Sequence, residues 1–450
     1  MKLSFHGGVR EVTGSCYLLQ GEKGSVLVDC GMHQGERMCG QRNYEEFDFE
    51  PAGIQAVIVT HAHYDHIGRL PLLLERGFTG KVYMTPPTAA LARLVMDDAH
   101  RIMAEQAKDC GQELLFGSER IAQLFDEHVV RRNYHTQFEA APGMMCTFQE
   151  AGHILGSSFI TVDAEGKRIV FSGDLGNDDI PILPDTAMLD HADVIVTEST
   201  YGDKDHNPTF ERKEKLVDAV NKVINRGGTL IIPAFSIERT QELLYELDIL
   251  FDKNEIPRVP VYLDSPLAIK ATQVYREFKQ YLRFDRPVLD SPDRDFFSFP
   301  NLTLTLSREE SKRINVDDRP KIIIAGSGMM TGGRVQHHLR KYLSDDRSGV
   351  LIIGYQAQGT LGRKIQEGAR QVEIFRDDIK VRASIDTIHS FSAHADRKKI
   401  ARWLLPSQGP ADKIFLVHGD DDTKALFQLY LKDRMESDVF IPKFNEEIEL

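Results

Sequence analysis

The string His61-Ala62-His63-Tyr64-Asp65-His66 sets three imidazoles and a carboxylate within six residues, directly after the apolar run Ala56-Val57-Ile58-Val59-Thr60. Imidazole nitrogen and carboxylate oxygen are ligands for zinc and related divalent ions, and a loop leaving a buried strand can aim several of them at one point. In this spacing His61 and His63 are placed to serve one metal, while Asp65 and His66 can serve a second. These side chains do not complete two metal sites, so the remaining ligands must come from elsewhere in the chain.

Candidates recur wherever another apolar run stops: Asp29 after 25–28, His153 in the turn-rich 152–156, Asp174 after 169–173 and His418 after 414–417. A short β-rich run that ends on a polar residue or glycine reads as a buried strand delivering a loop, and ligands from several such ends converge at one edge of a sheet. An isolated Asp in that place is an ordinary turn former or helix cap; the repetition of one context is what points to a metal centre. The first half of the chain alternates strands with helical stretches at 87–107 and 119–130, the texture of an α/β protein. After Glu198 come a helix at 210–225, a strand at 229–232, a helix at 239–251 and strands at 260–263 and 321–325, none bearing a metal-type His cluster. A block with its own alternation, lying between Asp174 and His418, reads as a domain inserted into the first fold.

Composition narrows the function classes. A net charge of -13 argues against a broad basic surface for unspecific phosphate binding. A formal count omits bound metal charge, however, and clefts focus local potential. Arg334, Arg340, Lys341, Arg363 and Lys364 flank Gly-rich stretches and supply local positive charge. At 450 residues and 41% hydrophobic the chain can bury the cores of two domains or more. No segment approaches the roughly 18 uninterrupted apolar residues of a membrane span, and the N-terminus has no signal-peptide pattern, so a soluble cytoplasmic protein is expected. Five Cys (Cys16, Cys30, Cys39, Cys110, Cys146) without C-x-x-C pairing indicate neither a disulfide framework nor a thiolate zinc site.

Asp29, the 61–66 string, His153 and Asp174 stand in the order of the four sequence motifs of the metallo-β-lactamase superfamily, which the chain resembles over nearly its whole length. Thr197-Glu198-Ser199-Thr200-Tyr201-Gly202, Phe391-Ser392-Ala393-His394-Ala395-Asp396 and Val417-His418-Gly419-Asp420 resemble motifs A, B and C of its β-CASP branch, whose members act on nucleic acids. The second string is nearer to the nuclease subunit of the cleavage and polyadenylation specificity factor than to ribonuclease J. The short single chain is similar to bacterial stand-alone relatives of that subunit. The resemblance implies an α/β protein with the four-layer αββα metallo-β-lactamase fold in two parts, 1–200 and 363–450, interrupted by an α/β β-CASP cap domain at 201–362.

The resemblance also assigns roles. It implies two Zn2+, with Mn2+ as a substitute: His61, His63 and His153 for one ion, Asp65, His66 and His418 for the other, and Asp174 bridging. Such a pair activates water for attack on phosphorus and stabilises charge on phosphate oxygens. Asp29 is expected to orient a ligand or the water. His394 is the expected general acid for the departing 3′ oxygen, with Glu198 orienting it. Asp65, Asp29, Glu198 and His394 thus form the expected catalytic set. The Gly-rich stretch 326–333, between a strand and a helical segment, predicts a turn that exposes backbone N–H groups to phosphate, although it lacks the Lys-Ser/Thr ending of a Walker loop. Ser327, Gly328 and Arg239 are the expected substrate contacts. The implied function is a zinc-dependent ribonuclease acting on RNA phosphodiesters in processing or decay, as an endonuclease with 5′-to-3′ exonuclease action left open. The partner is RNA and not a membrane, and a homodimer is compatible with the sequence. The alternative, hydrolysis of small esters or thioesters on the same metal core, leaves the inserted domain and motifs A to C without a role.

Overall fold

The computed structural model describes residues 1–450 apart from 35–40, 207–210 and 284–294. Cys39, Phe210 and the side chain of Cys110 lie outside the described residues. The chain forms two compact units, Met1–Asp205 with His394–Leu450, and His206–Ala393.

The first unit is built on β1 (Lys2–Gly7), β2 (Cys16–Gln20), β3 (Ser25–Val28), β4 (Ala56–Ile58), β5 (Lys81–Met84), β6 (Val129–Arg131), β7 (Phe138–Ala141), β8 (Met144–Glu150), β9 (Ser158–Ala164), β10 (Lys167–Phe171) and β11 (Val194–Glu198). The second unit contributes β12 (Thr229–Pro233), β13 (Val261–Asp264), β14 (Leu302–Leu304), β15 (Lys321–Ala325), β16 (Gly349–Ile352), β17 (Gln371–Ile374), β18 (Asp377–Lys380) and β19 (Ser384–Thr387). The chain then returns to the first unit with β20 (Lys413–Val417), β21 (Asp438–Phe440) and β22 (Glu447–Glu449).

The first unit holds two seven-stranded sheets, in the orders β22-β1-β2-β3-β4-β5-β6 and β21-β20-β11-β10-β9-β8-β7. In each, four antiparallel strands run on into a parallel half. The period-2 alternation of side chains decides which way each strand faces. Val26 and Val28 of the first sheet and Ile169, Phe171, Val194, Val196, Phe415 and Val417 of the second share one core between the sheets. Val170, Ile195, Ile414 and Leu416 point outward onto the helices Arg397–Trp403 and Asp421–Lys432. Leu27 and Val57 face outward from the first sheet and are also fully buried, on the side where the long helix Pro86–Cys110 runs. The layers are therefore helix, sheet, sheet, helix.

One expected element is cut short. The helix expected at 119–130 ends as Ser118–Gln123, continues as one wider turn through His128, and gives way to β6. The β-branched pair Val129 and Val130 aligns in parallel with Val82 and Tyr83 of β5, and ladder pairing outweighs helix continuation.

The second unit has a parallel sheet in the order β14-β13-β15-β12-β16-β19, whose interior strands β12 and β15 are buried along their whole length, as a sheet covered on both faces requires. The β17–β18 hairpin packs Val372 and Ile374 into that unit's core, and β19 pairs in parallel with β16. The compact unit thus runs to Ala393, where the expected cap ended at 362. Among the described residues no helix is long and apolar enough to cross a membrane. Cys16, Cys30 and Cys146 are buried free thiols.

Candidate metal centre

Asp29, the 61–66 string, Asp174 and His418 all follow the C-terminal ends of strands in the parallel halves of the two sheets, and Glu198 is the last residue of β11. That end of an open α/β sheet is where loops diverge and leave a crevice. His153 comes from the turn between β8 and β9, which is tied to the first sheet where Ser158 donates its backbone N–H to the Thr60 carbonyl at 2.8 Å. Two of these residues adopt left-handed backbone conformations, Asp29 at φ 59° and His418 at φ 47°. A non-glycine residue pays roughly 1–2 kcal/mol for that region, and such positions gather at functional sites. Gly173, beside Asp174, has φ 52°, and a Cβ there would meet the Thr60 Cβ at 2.6 Å, so glycine is needed for the two loops to approach.

The side chains converge as two sets that share one carboxylate. His61 Nε2 and His153 Nε2 lie 3.4 and 3.5 Å from Asp174 Oδ2. His63 Nδ1 sits 3.1 Å from His61 Nε2 and 3.2 Å from His153 Nε2. On the other side His66 Nε2 and His418 Nε2 lie 3.4 and 3.6 Å from Asp174 Oδ1, and each is 4.0 Å from Asp65 Oδ2. The ligand atoms of His61, His63, His153 and Asp174 all lie within 4.8 Å of one another, as do those of Asp65, His66 and His418. One oxygen of Asp174 faces each set, which is the disposition of a bridging carboxylate. Apart from Asp65 and His63, which are half-buried, these residues are buried.

Neighbouring groups fix which ring nitrogen offers its lone pair. The Asp29 carboxylate can only accept, so His66 donates its Nδ1–H to Oδ2 at 2.7 Å and turns Nε2 toward Asp174. Thr60 donates its hydroxyl to Asp29 Oδ2 at 2.8 Å and its backbone N–H to Oδ1 at 2.8 Å. With its one proton committed, the Thr60 oxygen accepts from His61 Nδ1–H at 3.0 Å. Ser15 Oγ lies 3.0 Å from His418 Nδ1 and plays the same part there. Thr60 and Ser15 were not identified from sequence. Thr60 had one signal, its place immediately before His61; Ser15 had none.

Burial, followed by neighbouring imidazoles, depresses His61 and His63 to about 3, while burial depresses His418 to about 4 and His153 well below the usual range. Their lone pairs are therefore available at neutral pH. His66 goes the other way: burial disfavours its charge, but Asp174 and Asp29 outweigh that and hold it well above the ordinary value. Burial likewise opposes the charge on Asp174, and His418, His66 and His61 overcome it, keeping this carboxyl well below the usual range. Among the described residues His66 Nε2 and Asp174 Oδ1 are buried without hydrogen-bond partners. A buried cluster of imidazole lone pairs around an ionised carboxylate, with two such atoms unsatisfied, fits divalent cations. Binding them would displace the proton held on His66.

Beside this cluster, Glu198 accepts the Leu175 backbone N–H on Oε1 at 2.6 Å and His394 Nδ1–H on Oε2 at 3.1 Å. Both carboxylate oxygens are thus engaged in holding the loop and the ring. The His394 side chain is 18% exposed while that of Glu198 is fully buried.

Of the expected substrate contacts, two are corrected. Arg239 is 2% exposed, and its guanidinium is bound to Glu242 and to the Phe391 carbonyl. Arg212, bound to the same Glu242, donates to the Ser390 carbonyl at 2.7 Å. This arginine pair anchors the segment leading to motif B instead of reaching outward. Gly328 is buried under the Phe235 ring, which a Cβ would meet at 2.6 Å, so it serves packing. Ser327 is half-buried, with its hydroxyl turned back to Gly332 O at 3.2 Å.

The Asp29 geometry carries a prediction. Asparagine tolerates the left-handed backbone but would place an amide where a carboxylate accepts from His66. Asp29→Asn should weaken metal binding by about 10–100-fold, measured by chelator competition at fixed pH. Unchanged affinity would remove Asp29 from the supporting set.

The chain matches the Metallo-beta-lactamase superfamily over residues 9–234, the Beta-Casp domain over 240–365 and the Zn-dependent metallo-hydrolase RNA specificity domain over 378–442. It is 36% identical over 422 residues to Ribonuclease TTHA0252 of Thermus thermophilus, covering 94% of each chain. It is 33% identical over 428 residues to Transcription termination factor FttA of Methanosarcina mazei, covering 92% of this chain and 66% of that protein. It is 30% identical over 446 residues to an RNase J-like protein of Methanocaldococcus jannaschii, with 98% and 97% covered. A crystal structure of a protein of unknown function from Enterococcus faecalis superposes with a TM-score of 0.55 at 12% identity over 100% of this chain and 99% of that one, a likeness of fold.

Proposed function

The chain belongs to the metallo-β-lactamase superfamily and to its β-CASP branch, and on that premise we propose that it is a metal-dependent ribonuclease that hydrolyses RNA phosphodiester bonds at the Asp174 centre, in cytoplasmic RNA processing or decay. The observation that carries the reading is the Asp174 carboxylate, one oxygen toward each of two histidine sets, with the His394–Glu198 pair alongside. His61, His63 and His153 would hold one ion, Asp65, His66 and His418 the other, and Asp174 both, with zinc suited to this donor set and manganese as a substitute. Bound there, such ions acidify coordinated water and stabilise charge on the phosphate oxygens.

The protein's own groups do the rest. Asp29, Thr60 and Ser15 keep His66, His61 and His418 in the tautomers that present Nε2. Glu198 holds His394 by Nδ1, which leaves Nε2 as the nitrogen that carries a proton to the leaving 3′ oxygen. An alkoxide is a poor leaving group, so this proton matters to the rate.

Digestion of one RNA labelled at either end, as 5′-monophosphate and 5′-hydroxyl forms, tests the activity and reads its polarity; a thioester substrate is assayed beside it. Metal-dependent cleavage of RNA is expected. Thioester turnover with intact RNA would assign the metal core to small esters instead.

A further inference from the structure

The β17–β18 hairpin turns through Phe375 and Arg376, because Ile374 pairs directly with Asp377. Both turn residues have left-handed backbones, at φ 54° and 67°. A two-residue turn of this kind favours Asn-Gly, and bulky side chains at both positions are a costly choice for the turn alone. Their value has to lie in what the side chains present. Phe375 is 47% exposed and stacks on His337, ring centroids 4.6 Å apart and planes 29° from parallel. His337 is itself exposed, on the helix Arg334–Tyr342. One face of the Phe375 ring is thus backed by an imidazole, while nearly half of the residue is open to solvent.

The turn itself carries one cation that can meet a polyanion. Arg340, one turn beyond His337, neutralises Asp377 at 2.5 Å. Arg376 is exposed and has no ion-pair or hydrogen-bond partner among the described residues. The acidic pair Glu373 and Asp378 stands opposite in register, on the hairpin face away from the buried Val372 and Ile374. Burial first, then His338, Arg340 and Arg308, hold His337 below its ordinary pKa, so it is a neutral aromatic plane at neutral pH.

We propose that the Phe375-Arg376 turn, backed by His337, is a base-stacking contact for single-stranded RNA on the second unit, with Arg376 meeting the adjacent phosphate. Every base offers a π-face, and an aromatic side chain beside an arginine is the arrangement that binds single strands without sequence preference. The inference rests on the ribonuclease reading above.

Fluorescence anisotropy with a labelled oligoadenylate of about 12 nucleotides, in chelator to prevent cleavage, tests it on the full chain. Phe375→Ala should weaken binding by roughly 5- to 150-fold, with little further effect on an abasic oligomer of equal length. Phe375→Trp should keep the affinity, its emission quenched on titration with RNA. Arg376→Ala should lower the slope of log Kd against log salt by about 0.7. The Phe375→Asn, Arg376→Gly double variant separates binding from folding: its melting temperature should equal or exceed the parent's while its affinity falls as in Phe375→Ala. Parental affinity in Phe375→Ala and in the double variant overturns the proposal. A changed sedimentation coefficient with unchanged RNA affinity does so too, and makes the turn a protein contact. If the parent cleaves RNA and these variants bind like it, only this inference fails; if the parent neither binds nor cleaves RNA, the ribonuclease reading fails with it.

Discussion

Replacing Asp174 with alanine should empty both proposed metal positions and abolish RNA cleavage. Among the described residues no other side chain faces both ligand sets: Oδ2 faces His61 and His153 while Oδ1 faces His66 and His418, at 3.4 to 3.6 Å. Removing it would leave one set with three neutral imidazoles and the other with two imidazoles and Asp65, without the shared negative charge that would offset two cations. Elemental analysis should find about two ions per chain in the parent and less than one in the purified variant. Circular dichroism should remain that of the parent, because the strands that deliver the ligands are held by the core between the sheets. Stoichiometric metal with normal cleavage in Asp174→Ala would end its assignment as the bridge.

His394→Ala should lose rate and keep metal. The ring is held by Glu198 at 3.1 Å and lies 3.9 Å from Asp174, beside the ligand sets. A loss of about 10²–10⁴-fold in kcat is expected, the scale of general acid assistance, with metal content unchanged. RNA carrying sulfur in place of the 3′ leaving oxygen departs without protonation, and on that substrate the variant should recover most of its rate. Equal impairment on both substrates would make His394 a structural or water-positioning residue. The pH profile gives a second readout. Burial disfavours the imidazolium, but Glu198 first, then Asp174 and Asp65, lift its pKa to about 9. A raised value means that the acid form is present at neutral pH and is lost as pH rises through it. Bound cations pull the value down, so the basic limb of kcat/KM should fall at or below about pH 9, and it should be absent from His394→Ala.

How much of this was visible in the sequence follows from how local each signal is. The candidate ligands stand out in the sequence because metal chemistry admits few residue types and because Asp29, the 61–66 string, Asp174 and His418 each follow a buried apolar run, while His153 stands in a Gly-rich turn. The strand at 321–325 and the ends of β3 and β20 fall where the apolar runs stop. The supporting hydroxyls were not legible. Serine and threonine are common, and the meaning of Ser15 depends on a partner 403 residues away. The extension of the compact second unit past the expected cap to Ala393 was not legible either. β19 is half-buried throughout and carries no apolar run, so only its pairing with β16 reveals its membership. Arg239 looked like a free cation in sequence. Its burial comes from Glu242 one turn along the same helix and Arg212 on the preceding one, a triad that local pattern does not disclose. The two sheets of the first unit share a four-antiparallel, then parallel arrangement without any repeat in their residues, since alternation and burial constrain pattern more than identity.

The most direct test of the account is a metal titration read against RNA cleavage in a single sample. The chelated chain should be inactive on end-labelled RNA, and stepwise zinc should restore cleavage as occupancy approaches about two ions per chain, with Asp174→Ala showing neither occupancy nor cleavage. Full RNA cleavage by the metal-free chain, or two bound ions with no hydrolysis of any RNA, would contradict it.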